Sequence, residues 1–184
     1  MNTETKINKP EAILKLMKNI SYGYINNKNK RITNISDQDF EHDYRLQSPS
    51  ELMASKIGVC WDQCELERFY FEKYLKLQFN IYYLEAKNQS QSTHTLLIYQ
   101  TGGRFYWFEN SWFKYRGIHE FDSLDFLFKK VSENQLDHAN NECGDQTDEI
   151  NWYLLEKPQF GISATDFMNH AKSKSIIFKF IKSK

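Results

Sequence analysis

The sequence predicts an α+β fold in which one long helix packs on an antiparallel sheet. A helical pattern of apolar residues covers residues 60–77, and an alternating strand pattern follows over 79–84. Two further strand patterns, 92–99 and 105–110, are separated by paired glycines at 102–103, which indicate a hairpin because its turn needs positive φ angles. A helix followed by strands that pair with their neighbours is typical of α+β domains.

Length and composition favour one folded domain, residues 1–184. A hydrophobic share of 40%, with 16% aromatic residues, favours a packed core over a disordered chain. Lys and Arg number 24 and so do Asp and Glu, so the net charge gives no reason to bind nucleic acid or an acidic membrane. Apolar stretches fall short of the roughly 18 residues of a membrane span, and residues 1–6 lack a signal-peptide core. We expect a cytoplasmic protein with no membrane or nucleic-acid partner.

Before the long helix, the sequence predicts two shorter helices and a polar connection. Residues 10–17 begin with proline and have apolar residues at helical spacing. Residues 22–40 are rich in Asn, Lys, Asp and Ser, which indicates loop or short extended pieces. The segment Ser-Pro-Ser-Glu at 48–51 resembles a capping box and predicts a short helix that stops at Gly58.

The other elements follow from capping residues and polarity. Residues 88–92 are polar and predict a bend between two strands, and residues 123–127 predict a capped amphipathic helix. Residues 134–148 are polar and predict a surface loop. A strand is expected at 152–156, and a last capped helix at 163–170.

Cys60 is the best candidate for a reactive side chain. It follows Gly58 and Val59 and begins the long helical pattern, so its thiol is expected at the positive end of a helix. Backbone N–H groups and the helix dipole at that end stabilise negative charge and therefore favour the nucleophilic thiolate. A cysteine taken alone is more often an inert core residue, so this assignment also needs a partner base.

His94, in the strand pattern 92–99, is the candidate base, and the hairpin brings an acceptor beside it. With a two-residue loop, the residue numbers of two opposite residues sum to 205, and Glu109 becomes a diagonal neighbour of His94. With a three-residue loop the sum is 204 and His94 faces Asn110. We favour Glu109, because only a carboxylate would also stabilise an imidazolium. His119 is a second candidate base, but it lies outside this hairpin.

These residues resemble the transglutaminase-like superfamily of papain-like thiol enzymes, over about residues 48–127. The matching segments are Gly-Val-Cys-Trp at 58–61, Thr-His-Thr-Leu-Leu at 93–97, and Tyr-Trp-Phe-Glu at 106–109 with Ser-Trp at 111–112. In that superfamily a cysteine at a helix start, a histidine on the next strand and an acidic residue on the following strand form a triad. Cys60, His94 and Glu109 match it in this order, with Glu where Asp is usual.

The resemblance implies a papain-like core and thiol-dependent acyl transfer or amide hydrolysis on a peptide or protein substrate. The cysteine would attack an amide or thioester carbonyl, the histidine would move the proton, and the acid would orient the histidine. The oxyanion would be stabilised by the Cys60 backbone N–H and a second donor, either Gln47 or the Trp61 indole. Trp61 and Trp112 would line an acyl or side-chain pocket.

Disulfides, metals and cofactors are not expected. The three cysteines are an odd number, which argues against a disulfide framework. Cys60 and Cys64 would share one helix face, but no second ligand pair with zinc-like spacing accompanies them.

Two other functions use the same residues. The fold could act as a peptide-binding module whose triad is weakened by glutamate, in which case Cys60 would be an ordinary or buried thiol. An acetyltransferase that takes an acyl thioester would share the triad, but no motif for such a donor is found.

Overall fold

The computed structural model describes residues 7–35, 39–87, 92–143 and 146–182. Within these ranges it contains six α-helices and a six-stranded antiparallel sheet, so the α+β fold class is confirmed. The elements are α1 (Pro10–Met17), β1 (Tyr24–Ile25), β2 (Arg31–Ile32), α2 (Phe40–Asp43), α3 (Pro49–Ser55), α4 (Cys60–Tyr70), β3 (Gln78–Ala86), β4 (Thr93–Thr101), β5 (Arg104–Glu109), β6 (Gly117–Phe121), α5 (Leu124–Asn141), β7 (Glu149–Leu154), α6 (Ala164–Ala171) and β8 (Phe178–Ile181).

The large sheet has the strand order β6-β5-β4-β3-β7-β8, and each strand is antiparallel to its neighbours. β4 and β5 form the predicted hairpin, with φ of +58° at Gly102 and +76° at Gly103. Positive φ at both central residues is the requirement of a type I′ turn. Thr101 pairs with Arg104, so opposite residues sum to 205 and the preferred register is confirmed.

A separate hydrophobic core covers each face of the sheet. Leu97 and Phe108 belong to the core formed with α1, α3, α4 and α6. Leu96 and Trp107 belong to the core formed with α5. Successive strand residues point to opposite faces, so β4 and β5 contribute to both cores.

The long helix that the sequence predicts over 60–77 is observed as α4 followed by one π-helical turn, Phe71–Leu75. α4 begins at Cys60 directly after a tight approach of the chain to α3. A Cβ atom on Gly58 would lie 2.6 Å from Leu52 Cδ1, so only glycine fits there without displacement. This packing fixes where the helix starts.

The prediction of a surface loop over 134–148 is wrong, because α5 extends to Asn141. Asn134 and Gln135 are buried, and Gln135 donates a hydrogen bond to Ser92 Oγ at 3.0 Å. A polar side chain can be buried when it has a hydrogen-bond partner. The polar composition of this segment therefore did not mean that its side chains are exposed to solvent.

The two edge strands of the sheet and one short helix were also not predicted. β6 forms one edge of the sheet beside β5, and β8 forms the other beside β7. The short α2 lies within the segment 22–40, which was predicted as loop or short extended pieces. Residues 88–91 of the predicted bend lie outside the described residues.

Across the described parts of the chain, none of the helices combines the length and apolar character needed to cross a membrane. None of the three cysteines forms a disulfide. No group of three or more His, Cys, Asp or Glu side chains among the described residues is arranged to hold a metal ion.

Candidate active site

A buried aspartate holds the turn that carries Cys60. Asp62 accepts hydrogen bonds from the backbone N–H groups of Val59 and Gln47, at 2.9 and 2.8 Å, and from the Tyr44 hydroxyl at 2.9 Å. Burial raises the pKa of Asp62 to about 7, although these hydrogen bonds favour the carboxylate. The N–H of Cys60, at the first helical position, has no partner within the helix and faces the Tyr22 hydroxyl.

Replacing Asp62 by alanine should destabilise the protein by about 3 kcal/mol, because a helix cap is lost and buried donors are left unpaired. In thermal unfolding this corresponds to a fall of about 6–12 °C. The matched control is Asp166→Ala, at the equivalent position of α6, where the aspartate is exposed and bonded to Ser163. The control should cost less than about 1 kcal/mol; equal losses would contradict the role given to Asp62.

His94 and Glu109 form a buried pair beside Cys60. His94 Nε2 lies 2.8 Å from Glu109 Oε2, and the two side chains are only 7% and 2% exposed. The Cys60 side chain is a hydrogen-bond partner of the His94 ring. Because Nε2 is bound to Glu109, Nδ1 is the ring nitrogen left for the thiol. The structure therefore brings together the three residues of the sequence hypothesis.

Four donors converge on the carboxylate of Glu109. Besides His94, Oε2 accepts the Trp107 indole N–H at 3.2 Å. Oε1 accepts the Ser111 hydroxyl at 2.9 Å and the Trp112 backbone N–H at 2.7 Å. Burial acts to raise the pKa of Glu109, but the His94 charge and these hydrogen bonds outweigh it, so the pKa lies below its ordinary value. Glu109 is thus held ionised in one orientation.

The imidazole of His94 is stabilised in its charged form. Burial acts to lower its pKa, whereas the Glu109 carboxylate and Cys60 raise it, and the net result is a pKa of about 10. A raised pKa contributes stability that is complete below the ordinary value near 6.5 and is lost as the pH rises through the folded value.

We therefore expect the stability that His94 contributes to decrease from pH 7 to pH 10. The measurement is the difference in free energy of unfolding between wild type and His94→Gln, from urea denaturation at pH 7, 8, 9 and 10. The pH-dependent contributions of titratable groups that the substitution does not affect cancel in this difference. A difference that stays constant over the range would show that His94 is already neutral at pH 7.

The site forms at the end of the sheet where β4 begins and β5 ends. His94 and Glu109 lie on the face that carries α5, as Leu96 and Trp107 do. Cys60 belongs to α4, which packs against the opposite face. Cys60 and His94 therefore meet across the sheet end.

Tyr22 is a site residue that sequence reasoning missed. Its hydroxyl donates to Cys60 Sγ at 3.9 Å, and the residue is 36% exposed. Burial of the hydroxyl and the neighbouring Cys60 raise the pKa of Tyr22, so it remains a neutral donor. It lies 38 residues before Cys60 in a segment predicted as loop, and no local pattern identifies it.

Asn110 and His119 lie elsewhere than the sequence alternatives required. The Asn110 amide donates to Gln63 Oε1 at 2.7 Å and to the Met17 carbonyl at 3.3 Å, towards α4 and α1. This follows from the observed register, in which Glu109 and not Asn110 is turned towards His94. His119 donates from Nε2 to the Tyr115 carbonyl at 2.6 Å, outside the Cys60 site.

Gln47 is engaged in the loop before α4. Its amide nitrogen donates to the Ile57 carbonyl at 2.8 Å, and its amide oxygen accepts the Ser55 hydroxyl at 2.7 Å. We therefore leave the Gln47 side chain out of the oxyanion site. Its backbone N–H, bonded to Asp62, instead helps to hold the turn before Cys60.

Trp61 and Trp112 flank the site on two sides. Trp61 stacks on Phe167 with ring centroids 4.4 Å apart, and its buried indole N–H has no hydrogen-bond partner among the described residues. Trp112 contacts the His94 ring edge-to-face, at a centroid distance of 5.1 Å. Trp61 thus carries a spare donor, and Trp112 helps to fix the histidine ring.

Two hollows open beside the pair. The thiol chamber, of about 240 Å³, is lined by Cys60 and Trp61 among others. The base chamber, of about 230 Å³, is lined by His94 and Trp112 among others. The two chambers share the lining residues Tyr22, Thr93 and His138. A substrate in the site can therefore extend to both sides of the pair.

No protein-family model matches this chain, and neither does any curated protein. Its function is therefore inferred from the side chains of the site.

Proposed function

We propose that this protein is a thiol-dependent acyl-transfer or amide-hydrolysing enzyme of the transglutaminase-like, papain-like type. Cys60 is the nucleophile, His94 is the general base and acid, and Glu109 orients His94. The substrate is a peptide or protein amide, or another acyl compound.

The observation that carries this proposal is the buried 2.8 Å contact between His94 and Glu109, next to a cysteine at the first position of a helix. A buried ion pair is costly unless it is well bonded, and four donors hold this carboxylate. A nucleophile, a base and a residue that orients the base are the components of acyl-transfer catalysis.

In the proposed reaction the Cys60 thiolate attacks the carbonyl carbon and a C–S bond forms. His94, charged by the proton of the thiol, gives this proton to the leaving group as the acyl–nitrogen or acyl–sulfur bond breaks. Water or an amine then gives its proton to His94 and attacks the thioester. The product leaves and the Cys60 thiol is restored.

Two donors are suited to the oxyanion that forms in each step. The Cys60 backbone N–H lies at the positive end of α4. Trp61 lines the thiol chamber, and its buried indole N–H has no partner in the described structure. A donor without a partner gains more from a developing negative charge than one already bonded.

The test is site-resolved alkylation by iodoacetamide at pH 6, read by peptide mass spectrometry. We expect Cys60 to react at least about tenfold faster than Cys143, because the imidazole beside Cys60 belongs to a buried pair with Glu109, whereas the His138 ring 3.7 Å from Cys143 belongs to an exposed pair with Glu142. In His94→Ala this advantage should disappear, whereas His119→Ala should keep it, since His119 lies outside the site.

The proposal would be contradicted if Cys60 is alkylated no faster than Cys143. It would also be contradicted if the alkylation rate of Cys60 is the same in wild type and in His94→Ala. The cleft would then be studied as a peptide-binding site, the alternative that the sequence left open.

A further inference from the structure

The two chambers differ in which catalytic side chain they present. Cys60 lines only the thiol chamber, and His94 lines only the base chamber. During acyl transfer the nucleophile bonds to the acyl carbon, while the base exchanges a proton with the leaving group or the acceptor. If the proposed function holds, the acyl half of the substrate lies in the thiol chamber and the other half in the base chamber.

The wall of the thiol chamber is mainly apolar. Ile35, Phe40 and Met168 are half-buried residues that pack on the core with one side and line the chamber with the other. Val59 and Trp61 extend this surface next to Cys60. Apolar surface that a ligand covers is removed from water, which favours an apolar ligand. Methionine adds adaptability because its side chain is flexible.

The charge of this chamber disfavours anions. Glu41 lines it, and neither lysine nor arginine occurs among its described lining residues. A carboxylate placed there would lose hydration beside Glu41. The His138 ring in the wall is already paired with Glu142, and His94 lines the other chamber. With a volume of about 240 Å³, the chamber is also small.

We infer that the thiol chamber binds the acyl half of the substrate and selects a compact, uncharged, apolar acyl chain. This inference rests on the proposed function, because it assigns the chamber from the roles of Cys60 and His94.

The probes are the p-nitrophenyl esters of acetic, butyric, hexanoic and adipic acids, the last as its monoester. Cys60 forms a C–S bond to the acyl group, the ester C–O bond breaks, and p-nitrophenolate leaves and is measured. Water then hydrolyses the thioester, releasing the carboxylic acid and the thiol. Each buried methylene should raise kcat/KM roughly three- to fourfold until the chamber is filled. We therefore expect hexanoate to exceed both acetate and adipate by at least about tenfold.

Substitutions in the wall of the thiol chamber test whether the preference for hexanoate arises there. Met168→Trp should reduce the hexanoate-to-acetate ratio of kcat/KM at least about fivefold, because the larger ring occupies the space of the chain. The matched control is Met53→Trp, at a methionine that also packs half-buried on the core but lines a different hollow. The control should leave the ratio unchanged. Ile35→Trp serves the same purpose if Met168→Trp does not fold, and Glu41→Gln should recover part of the adipate rate.

The outcomes separate the two hypotheses. Turnover that needs Cys60 but shows no preference for hexanoate would overturn the acyl-chain inference and leave the proposed function standing. The same holds if the preference exists but neither chamber variant alters it. If no ester acylates Cys60, as judged by peptide mass spectrometry that separates it from Cys143 in the same chamber, both are overturned.

Discussion

Replacing Cys60 by alanine should reduce the turnover of a substrate ester by about 10⁴-fold or more, since removal of a catalytic nucleophile has effects of that size in comparable enzymes. The thiol forms the only covalent bond to the acyl group in the proposed reaction, so no other residue can substitute for it. The loss should appear in kcat, with p-nitrophenyl hexanoate as substrate. Intact mass should show an acylated intermediate in wild type and none in the variant.

The control is Cys64→Ala, one helical turn further along α4. Cys64 is buried, and burial raises the pKa of its thiol well above the ordinary value, so it is not a nucleophile. This variant loses one sulfur atom from the core, so its free energy of unfolding should fall by about 1 kcal/mol. Its activity should stay within a few-fold of wild type. Full activity in Cys60→Ala, or an equal loss in both variants, would reject Cys60 as the nucleophile.

The second large effect is expected for Glu109→Gln. The substitution places an NH₂ group where four donors converge, so at least one buried donor faces another donor. Breaking a buried charged pair costs about 3 kcal/mol or more, which corresponds to a fall of about 6–12 °C in Tm. Loss of the acid that orients the base should reduce kcat by about 10³–10⁴-fold. Thermal unfolding and ester turnover measure the two effects.

The control is Glu120→Gln on β6. Glu120 is exposed and contacts the Tyr106 hydroxyl at 3.2 Å, so its replacement should alter stability by less than about 0.5 kcal/mol. A stable and active Glu109→Gln protein would mean that Glu109 neither holds nor orients His94.

The geometry at Glu109 could be predicted because it follows from local rules. Two glycines determine the turn, the turn determines the register, and the register places Glu109 near His94. The start of α4 was similarly readable from Gly58 and the apolar pattern behind it. Each of these steps uses residues that are close in sequence.

Features that depend on distant contacts could not be predicted in this way. Tyr22 reaches Cys60 from 38 residues away, and its position depends on how the N-terminal segment packs. The Gln47 side chain is bound to Ile57 and Ser55, which the sequence does not reveal. Asp62 also went unassigned, because an acidic residue in a first helical turn is ordinarily exposed.

The position of the site across the sheet end determines when Cys60 meets His94 and Glu109 during synthesis of the chain. Cys60 leaves the ribosome before His94 and Glu109, and a domain generally folds as a unit. Until β4 and β5 pair and the cores on both faces form, the nascent chain carries a cysteine without its base. The newly made protein would therefore acquire its reactivity late, when most of the fold that encloses the thiol has already been built.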